Sequence, residues 1–229
     1  MIETLVEAVR ARLPVGRPGV VGLAGSVAVG KTTLAHQIAA ALGAAVEVVG
    51  TDGFLLPNDV LNRRGLLDRK GFPETFDAAG VAHFVAAVRG GTDPLSVPTY
   101  DHGTYDVGTS RLVHPAPRVV LLEGINALAQ PELLDVGVYL DADEPNVIDW
   151  YLSRFLVLRD AARTDPTSFY RRFLHLSDAE TIGTARGVWE AVNGPNLREH
   201  IAPQRSVAEI VVMKRADHSI AELKISAER

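Results

Sequence analysis

The sequence predicts an α/β fold: a P-loop NTPase-type parallel sheet flanked by helices, with a lid and hairpin insertion. Apolar segments typical of strands alternate with helix-like segments along the 229 residues, and this alternation favours right-handed βαβ units. A glycine-rich run at residues 25–32 directly follows the first predicted strand. No composition shift or internal repeat divides the chain, so residues 1–229 are predicted to form a single domain.

The glycine-rich run reads Gly-Ser-Val-Ala-Val-Gly-Lys-Thr and completes the pattern G-x-x-x-x-G-K-S/T. It lies between an apolar strand at 19–24 and an Ala-rich helix at 32–42. Glycines let backbone N–H groups point at phosphate oxygens, and the helix N-terminus adds partial positive charge. Lys31 is expected at the β- and γ-phosphates, and the Thr32 hydroxyl at Mg²⁺. The predicted nucleotide-binding residues of this loop are Gly25, Ser26, Val27, Ala28, Val29, Gly30, Lys31, Thr32 and Thr33.

The other elements are predicted from periodicity and turn residues. Residues 1–13 form a short amphipathic helix, because Leu5, Val9 and Leu13 recur at helical spacing. Asp77 is the expected N-cap of a helix at 76–89. Residues 51–75 are rich in Gly, Pro and charge, which favours a long ordered loop or short-helical lid, and 97–117 suggest a hairpin outside the main sheet. Further strands are predicted at 45–49 (buried), 118–122, 137–140, 208–213 and 220–225, with helices at 146–162 and within 167–192.

Composition excludes several classes of protein. The net charge of −5 argues against a nucleic-acid-binding surface, which is normally basic. The chain contains no cysteine, which removes disulfides, thiolate nucleophiles and cysteine metal sites. No apolar stretch approaches the roughly 18–20 residues needed to span a bilayer, and the N-terminus lacks an export pattern. We therefore expect a soluble cytoplasmic protein that binds neither nucleic acid nor membrane.

Two carboxylates follow predicted strands at the edge where ligands gather in such sheets. Asp52 comes just after the strand at 45–49, and Glu123 ends the Walker B-like run Val-Val-Leu-Leu-Glu. We assign Asp52 as the general base, since the polar lid that follows would bring an acceptor beside it. Glu123 is the better group for the metal side of the site. The alternative for each is a carboxylate that caps a nearby helix.

Arg154 shares a predicted helical stripe with Val147, Tyr151 and Leu158, which places it on the side that faces the protein. An inward arginine needs an anion, so we expect Arg154 to clamp the transferred phosphate. A structural salt bridge is the alternative.

The run Pro-Thr-Tyr-Asp-His is a candidate wall for a small polar substrate. If that run is extended, Tyr100 and His102 project to the same side. Ordinary packing of a loop is the alternative, since two such residues form a weak pattern.

These motifs resemble the bacterial type I pantothenate kinases, within the phosphoribulokinase/uridine kinase superfamily. The resemblance runs from about residue 20 to residue 218. Beyond the P-loop it rests on several blocks: Thr51-Asp52-Gly53-Phe54, Lys70-Gly71-Phe72-Pro73-Glu74, Pro98-x-Tyr100-x-His102-x-x-Tyr105-Asp106-Val107, Leu122-Glu123-Gly124-x-Asn126, Trp150-Tyr151-x-x-Arg154-Phe155, Asn196-Leu197 and Ala216-Asp217-His218.

The resemblance implies ATP-dependent phosphorylation of the primary hydroxyl of pantothenate, the first step toward coenzyme A. It implies ATP and Mg²⁺, and a homodimer. Lys31 and Arg154 would act on the transferring phosphate, Thr32 and Glu123 at Mg²⁺, and Asp52 as base. Pantothenate would be held by Tyr100, His102, Tyr151 and Asn196, while Lys214 and His218 match positions that flank the adenine ring in the family.

The sequence also departs from the family. The segment ahead of the P-loop is much shorter than usual. His36 replaces an arginine that often meets the inhibitor coenzyme A, and Leu158 and Arg163 replace aromatic residues of the inhibitor channel. We therefore expect weakened or absent feedback by coenzyme A.

Two other functions are weighed against pantothenate phosphorylation. The same chemistry on a nucleoside, a sugar or a pantothenate-like metabolite is the nearest alternative. A GTPase switch is disfavoured, because no Asn-Lys-x-Asp signature occurs and the Asp-x-x-Gly at 77–80 is predicted to open a helix instead of ending a strand.

Overall fold

Six strands form the central sheet of the computed structural model, which describes residues 1–43 and 45–226. These strands are β1 (Gly19–Gly25), β2 (Val46–Gly50), β7 (Val119–Glu123), β8 (Val136–Ala142), β9 (Ile210–Lys214) and β10 (Ile220–Ile225). The order across the sheet is β10-β9-β8-β1-β7-β2. The first five strands of this list pair in parallel with their neighbours in the sheet, and β10 is antiparallel to β9. The predicted parallel P-loop sheet is confirmed.

The strand predicted at 45–49 is present, but it is less buried than expected. It forms β2 at the edge of the sheet, where only Val49 is fully buried. An edge strand has a neighbour on one side only, so the hydrophobic run there marks one buried face rather than a central position.

Helices cover both faces of the sheet. They are α1 (Ile2–Arg12), α2 (Lys31–Leu42), α3 (Asn58–Arg64), α4 (Ala78–Arg89), α5 (Glu144–Ala161) and α6 (Asp178–Val188). A further helical segment, 189–201, consists of two π-type turns joined by a short α-helical turn. Short 3₁₀ turns lie at Thr51–Phe54, Leu67–Arg69, Pro73–Thr75, Pro131–Leu133, Phe169–Phe173 and Ala202–Val207.

Alternating side chains of the strands divide the core into two layers. Val21 and Leu23 of β1 pack in one cluster with residues of α1 and α2, including Leu5 and Ile38. Val20 of the same strand packs in a second cluster with residues of α4. This arrangement holds the carboxyl ends of β1, β2 and β7 at one edge, because Leu23 and Gly50 both lie in register with Glu123.

The predicted lid and hairpin both lie beside this edge. The lid consists of α3 and the 3₁₀ turns around it, and Asp77 accepts a hydrogen bond from the Gly80 N–H at 2.9 Å, which confirms its role as N-cap of α4. The hairpin forms two short ladders outside the main sheet: β3 (Leu95–Val97) with β6 (Arg111–Val113), and β4 (Tyr100–Asp101) with β5 (Asp106–Val107). Within the described residues, no helix combines the length and apolarity that crossing a bilayer demands.

Candidate active site

The P-loop connects β1 to α2 through backbone conformations that its glycines permit. Gly25 has φ +153° and lies so close to β8 that a Cβ atom would collide with the Leu140 carbonyl oxygen. Gly30 has φ +94°, a value rarely adopted by other residues. The two glycines of the motif are therefore required by the path of the loop, as the sequence predicts.

Lys31 begins α2 and points back into the loop. Its ammonium donates a hydrogen bond to the Ser26 carbonyl oxygen at 2.8 Å, and the residue is only 9% exposed. Burial, aided by the charge of Arg154, lowers the pKa of Lys31 to about 8, although the carboxylates of Glu123 and Asp52 act in the opposite direction. The four ionisable side chains predicted to perform the chemistry therefore lie within electrostatic reach of one another.

Thr32 and Glu123 meet directly. The Thr32 hydroxyl donates a hydrogen bond to Glu123 Oε1 at 2.8 Å, which joins the P-loop helix to the end of β7. Hydroxyl and carboxylate oxygens are ligands that Mg²⁺ accepts, and this ion normally takes its remaining ligands from water and phosphate. The donor set at Thr32 and Glu123 therefore fits the predicted magnesium position.

Asp52 lies in the 3₁₀ turn that follows β2, and it is half-buried. Its negative charge raises the pKa values of Lys31 and Lys70, and it also raises those of Tyr100 and Tyr105. No hydrogen bond or ion pair joins the Asp52 carboxylate to another side chain among residues 1–43 and 45–226. The carboxylate thus lies within electrostatic reach of two ammonium groups and two phenol groups, and it is not committed to a structural bridge with another described side chain.

The predicted inward orientation of Arg154 is wrong. Arg154 is exposed on α5, whereas the buried face carries Leu152, Phe155 and Arg159. Leu152 and Phe155 pack against Ala185 of α6, and this contact decides which face of α5 is covered. The inward arginine is Arg159, which forms ion pairs with Asp160 and Asp178 at 2.8 and 2.7 Å.

The exposed position nevertheless leaves Arg154 facing the site. Its charge acts on Lys31 and on Tyr170, so the guanidinium lies near both the P-loop and the aromatic side chains beside it. An arginine at the mouth of the site can reach an anion without first giving up a buried partner.

Tyr100 and His102 do lie side by side. Their ring centroids are 5.0 Å apart in an edge-to-face arrangement, although the strand ends at Asp101 and His102 belongs to the following turn. Burial, followed by the charges of Tyr105 and Asp52, raises the pKa of Tyr100 well above its usual value. The phenol therefore stays protonated and can donate a hydrogen bond.

Lys70 and Tyr105 complete this wall, and residue-level reasoning assigned neither a role. The Lys70 ammonium is 2.6 Å from Asn58 Oδ1 and 2.6 Å from the Tyr105 carbonyl oxygen, and it lies over the rings of Tyr100 and Tyr105. Burial lowers the pKa of Lys70 and raises that of Tyr105 to about 12. The sequence feature that could have identified Lys70 is its position in the Lys-Gly-Phe-Pro-Glu block of the lid.

Tyr151 and Asn196 approach from the helical side. The pKa of Tyr151 is raised by burial and by Tyr170 and Tyr105, which places its phenol among the aromatic residues of the wall. Asn196 is 3% exposed, and its amide donates a hydrogen bond to the Gly71 carbonyl oxygen at 2.9 Å. Asn196 therefore joins the 189–201 segment to the residue that follows Lys70.

Lys214 contacts the P-loop, and His218 packs against a residue of α5. The Lys214 ammonium donates to the Val29 carbonyl oxygen at 3.0 Å, and the His218 ring stacks on Trp150 with centroids 4.1 Å apart. Trp150 in turn donates to the Ala216 carbonyl oxygen at 3.1 Å. The turn between β9 and β10 is thus connected to α5, and β9 is connected directly to the nucleotide loop.

Comparisons of the sequence with known proteins agree on one family. Residues 20–163 match the model of the phosphoribulokinase/uridine kinase family. Pantothenate kinases from Sorangium cellulosum and Cutibacterium acnes are 43% and 40% identical to the chain. The alignments cover 90% and 91% of this chain and 72% and 69% of those proteins.

Solved structures support the same architecture. A putative fructose transport system kinase from a Silicibacter species is 26% identical, covers 90% of this chain and 93% of its own, and superposes with a TM-score of 0.68. D-glycerate 3-kinase from Cryptococcus neoformans covers 98% and 99%, with a TM-score of 0.65 at 13% identity, which shows likeness of fold alone. The chain therefore belongs to the phosphoribulokinase/uridine kinase family, and its sequence relatives within that family are pantothenate kinases.

Proposed function

We propose that the protein transfers the γ-phosphoryl group of ATP to the primary hydroxyl of pantothenate, a step toward coenzyme A. The relatives named above carry this activity in their names, and the alignments span about 90% of the chain. The observation that carries the proposal is the uncommitted Asp52 carboxylate, within electrostatic reach of Lys31 and of the Tyr100 phenol.

The residues assigned to the nucleotide have distinct tasks in this proposal. The backbone of the P-loop and Lys31 bind the phosphates, and Lys31 regains full charge when the anion offsets the cost of its burial. Thr32 and Glu123 would hold Mg²⁺, which supplies neutralising charge to the phosphate oxygens when it is bound. Arg154 adds a second positive charge at the transferred group.

The acceptor hydroxyl attacks the γ-phosphorus in line. A bond forms between the acceptor oxygen and phosphorus, the bond to the β,γ-bridging oxygen breaks, and ADP leaves. The hydroxyl proton passes to Asp52. Tyr100, His102, Tyr151 and Asn196 orient the acceptor, since a hydroxyl placed off line from phosphorus would react slowly.

The test is ADP release by the purified protein with pantothenate, a panel of nucleosides and a panel of sugars. We expect pantothenate to give the highest kcat/KM and a product whose mass increases by one phosphoryl group. A nucleoside or sugar that exceeds pantothenate would replace the proposed acceptor. Slow GTP hydrolysis without any acceptor activity would instead favour a switch protein.

The resemblance also motivates a homodimer that works in the cytoplasm with Mg²⁺. Light scattering during size exclusion tests the dimer, and chelation followed by re-addition of Mg²⁺ tests the ion. A monomer at micromolar concentration, or turnover that survives chelation, would reject the corresponding part of the proposal.

A further inference from the structure

Asn58 is the first residue of α3 and lies half-buried where the lid meets the hairpin. Its side-chain amide is used at both ends: Oδ1 accepts a hydrogen bond from the Lys70 ammonium at 2.6 Å, and Nδ2 donates to the Tyr105 carbonyl oxygen at 2.9 Å. Its backbone N–H donates to Asp106 Oδ1 at 3.0 Å. This one residue therefore bonds to another part of the lid and to two consecutive residues of the hairpin.

The two ends of the Asn58 amide match their partners and cannot be exchanged. An ammonium group only donates and a carbonyl oxygen only accepts, so Oδ1 has to face Lys70 and Nδ2 has to face the Tyr105 carbonyl group. The same carbonyl oxygen also accepts from the Lys70 ammonium at 2.6 Å. Asn58, Lys70 and Tyr105 thus form a closed ring of hydrogen bonds. An apolar residue at position 58 would remove both bonds of the amide, whereas aspartate would keep the one to Lys70.

Lys70 depends on this ring because it is nearly buried. The residue is 9% exposed, and its ammonium lies 4.9 Å and 4.4 Å from the ring centroids of Tyr100 and Tyr105. Burial lowers the pKa of Lys70, while the carboxylates of Asp106 and Asp52 act in the opposite direction. A buried charge is costly unless it is hydrogen-bonded. The position of this charge in the acceptor wall is therefore set by the two oxygen atoms that accept from it within the described part of the chain.

The hairpin end of the ring is a backbone position that needs support. Tyr105 lies in the turn between β4 and β5 with φ +59°, a value that few residues other than glycine adopt. Its carbonyl oxygen accepts from both Asn58 and Lys70, and these bonds stabilise the turn. Its ring lies edge-on to Tyr100 and stacks on Phe169. Asn58 thus influences both the positive charge and an aromatic surface of the acceptor wall.

We propose that Asn58 is a positioning residue of the acceptor site, whose amide holds the Lys70 ammonium and the Tyr105 carbonyl group in the geometry that receives the acceptor. Asn58 acts through these two residues and does not itself contact the acceptor. The inference rests on the proposed phosphoryl transfer, because it gives Asn58 a task in acceptor binding. Its contact with Lys70 is tested separately, in the free protein.

The first test is steady-state kinetics with pantothenate, or with whichever compound of the panel gives the highest kcat/KM. Asn58→Leu nearly keeps the shape of the side chain and removes both hydrogen bonds, so KM for the acceptor should rise about tenfold. KM for ATP should stay within about twofold, since only a general loss of structure would raise both values. Asn58→Asp keeps the oxygen that accepts from Lys70 and should recover most of the affinity for the acceptor. Asn62→Leu, one turn further along α3 at an exposed position, is the matched control and should leave both KM values unchanged.

The second test follows the ionisation of Lys70 by NMR of the full chain with ¹³C-labelled lysine, without nucleotide or acceptor. The chain has four lysines, and Lys70→Arg identifies the Lys70 signal. Asn58→Asp places a carboxylate beside the ammonium and should move the titration midpoint of Lys70 upward by about one pH unit or more. Asn58→Leu removes an acceptor from the charged form and should move the midpoint downward. Asn62→Asp adds its carboxylate at an exposed position, where water and salt screen it, and should have a much smaller effect.

Three results would overturn the proposal. They are an unchanged acceptor KM in folded Asn58→Leu, KM values for acceptor and ATP that rise together, and a Lys70 midpoint that Asn58→Asp does not move. Melting temperatures establish that each variant is folded, and Asn58→Ala, which removes the same two bonds, replaces Asn58→Leu if the latter does not fold. If no compound of the panel is phosphorylated, the proposed function fails, whereas the Lys70 titration still decides whether Asn58 holds the ammonium.

Discussion

Asp52 is the residue on which the proposed chemistry depends most directly. Replacing it by Asn keeps the shape of the side chain but removes the proton acceptor, so kcat is expected to fall by roughly 10²-fold or more. ATP affinity should change little, because the phosphates are assigned to the P-loop. Steady-state kinetics and isothermal titration with an ATP analogue measure both quantities.

Asp59→Asn is the matched control for this experiment. Asp59 is exposed in the lid and pairs with Arg63 at 2.7 Å, so its loss should leave kcat near that of the unmodified protein. Unchanged turnover in Asp52→Asn would remove Asp52 from its role as base.

The lowered pKa of Lys31 predicts that nucleotide binding depends on pH. Burial lowers its pKa to about 8, so the free protein holds Lys31 partly neutral above that pH. The anionic nucleotide favours the protonated form. ATP binding should therefore be accompanied by proton uptake above about pH 8, and affinity should fall as pH rises through 8.

Calorimetry in two buffers of different ionisation enthalpy measures this proton uptake. Lys31→Arg keeps its charge at all accessible pH values and should bind without the uptake. Uptake that persists in the arginine variant would assign the proton to another group. Without nucleotide, the unfolded chain binds more protons than the fold between pH 8 and 10.5, so Lys31 contributes more favourably to stability as pH rises through that window.

At the scale of elements, the contact between β9 and the P-loop leads to a further prediction. The Lys214 ammonium donates to the Val29 carbonyl oxygen, and a Cβ atom on Gly30 would lie 2.8 Å from the same nitrogen. Lys214→Met removes the hydrogen bond, so KM for ATP is expected to rise about fivefold. We expect kcat to change less, because this contact orients the loop rather than the acceptor.

Lys214→Arg should restore much of the affinity for ATP, because it can donate to the same carbonyl group. Lys224→Met, on the neighbouring strand β10, is the matched control, since Lys224 is exposed and pairs with Glu222. Equal KM values for Lys214→Met and the unmodified protein would show that the loop keeps its conformation without this contact.

Sequence reasoning predicted the elements well and failed where neighbouring elements decide orientation. The alternation of Val20 and Val21 marks a two-sided strand, and Asp77 caps α4 as its residue type predicts. Which side of α5 packs against the rest of the protein could not be predicted in this way. The stripe containing Arg154 is nearly as apolar as the one containing Phe155, and only packing against Ala185 of α6 distinguishes them.

At the scale of the whole molecule, the departures from the family predict weak regulation by coenzyme A. His36 and Arg163 are exposed, Leu158 is half-buried, and Arg163 pairs with Asp160 at 3.5 Å. Leu158 and Arg163 lack the aromatic surface, and His36 lacks the guanidinium group, that relatives of this type are expected to use. Low-micromolar coenzyme A should therefore leave most of the activity intact.

Initial rates measured against coenzyme A at several ATP concentrations test this expectation. Inhibition at low-micromolar coenzyme A that ATP relieves competitively would contradict it. In that case other residues of this chain provide the inhibitor contacts.

Motifs whose conformation depends on residues close in the chain could be predicted from the sequence alone. The P-loop conformation depends on two glycines and on the strand and helix beside them, so Lys31 and Thr32 could be assigned without knowledge of distant contacts. Side-chain positions that depend on long-range packing could not be predicted from the sequence. The wall formed by Lys70 and Tyr105, the outward turn of Arg154 and the contact between Asn196 and Gly71 each join segments far apart in the chain, and burial against those segments sets their geometry.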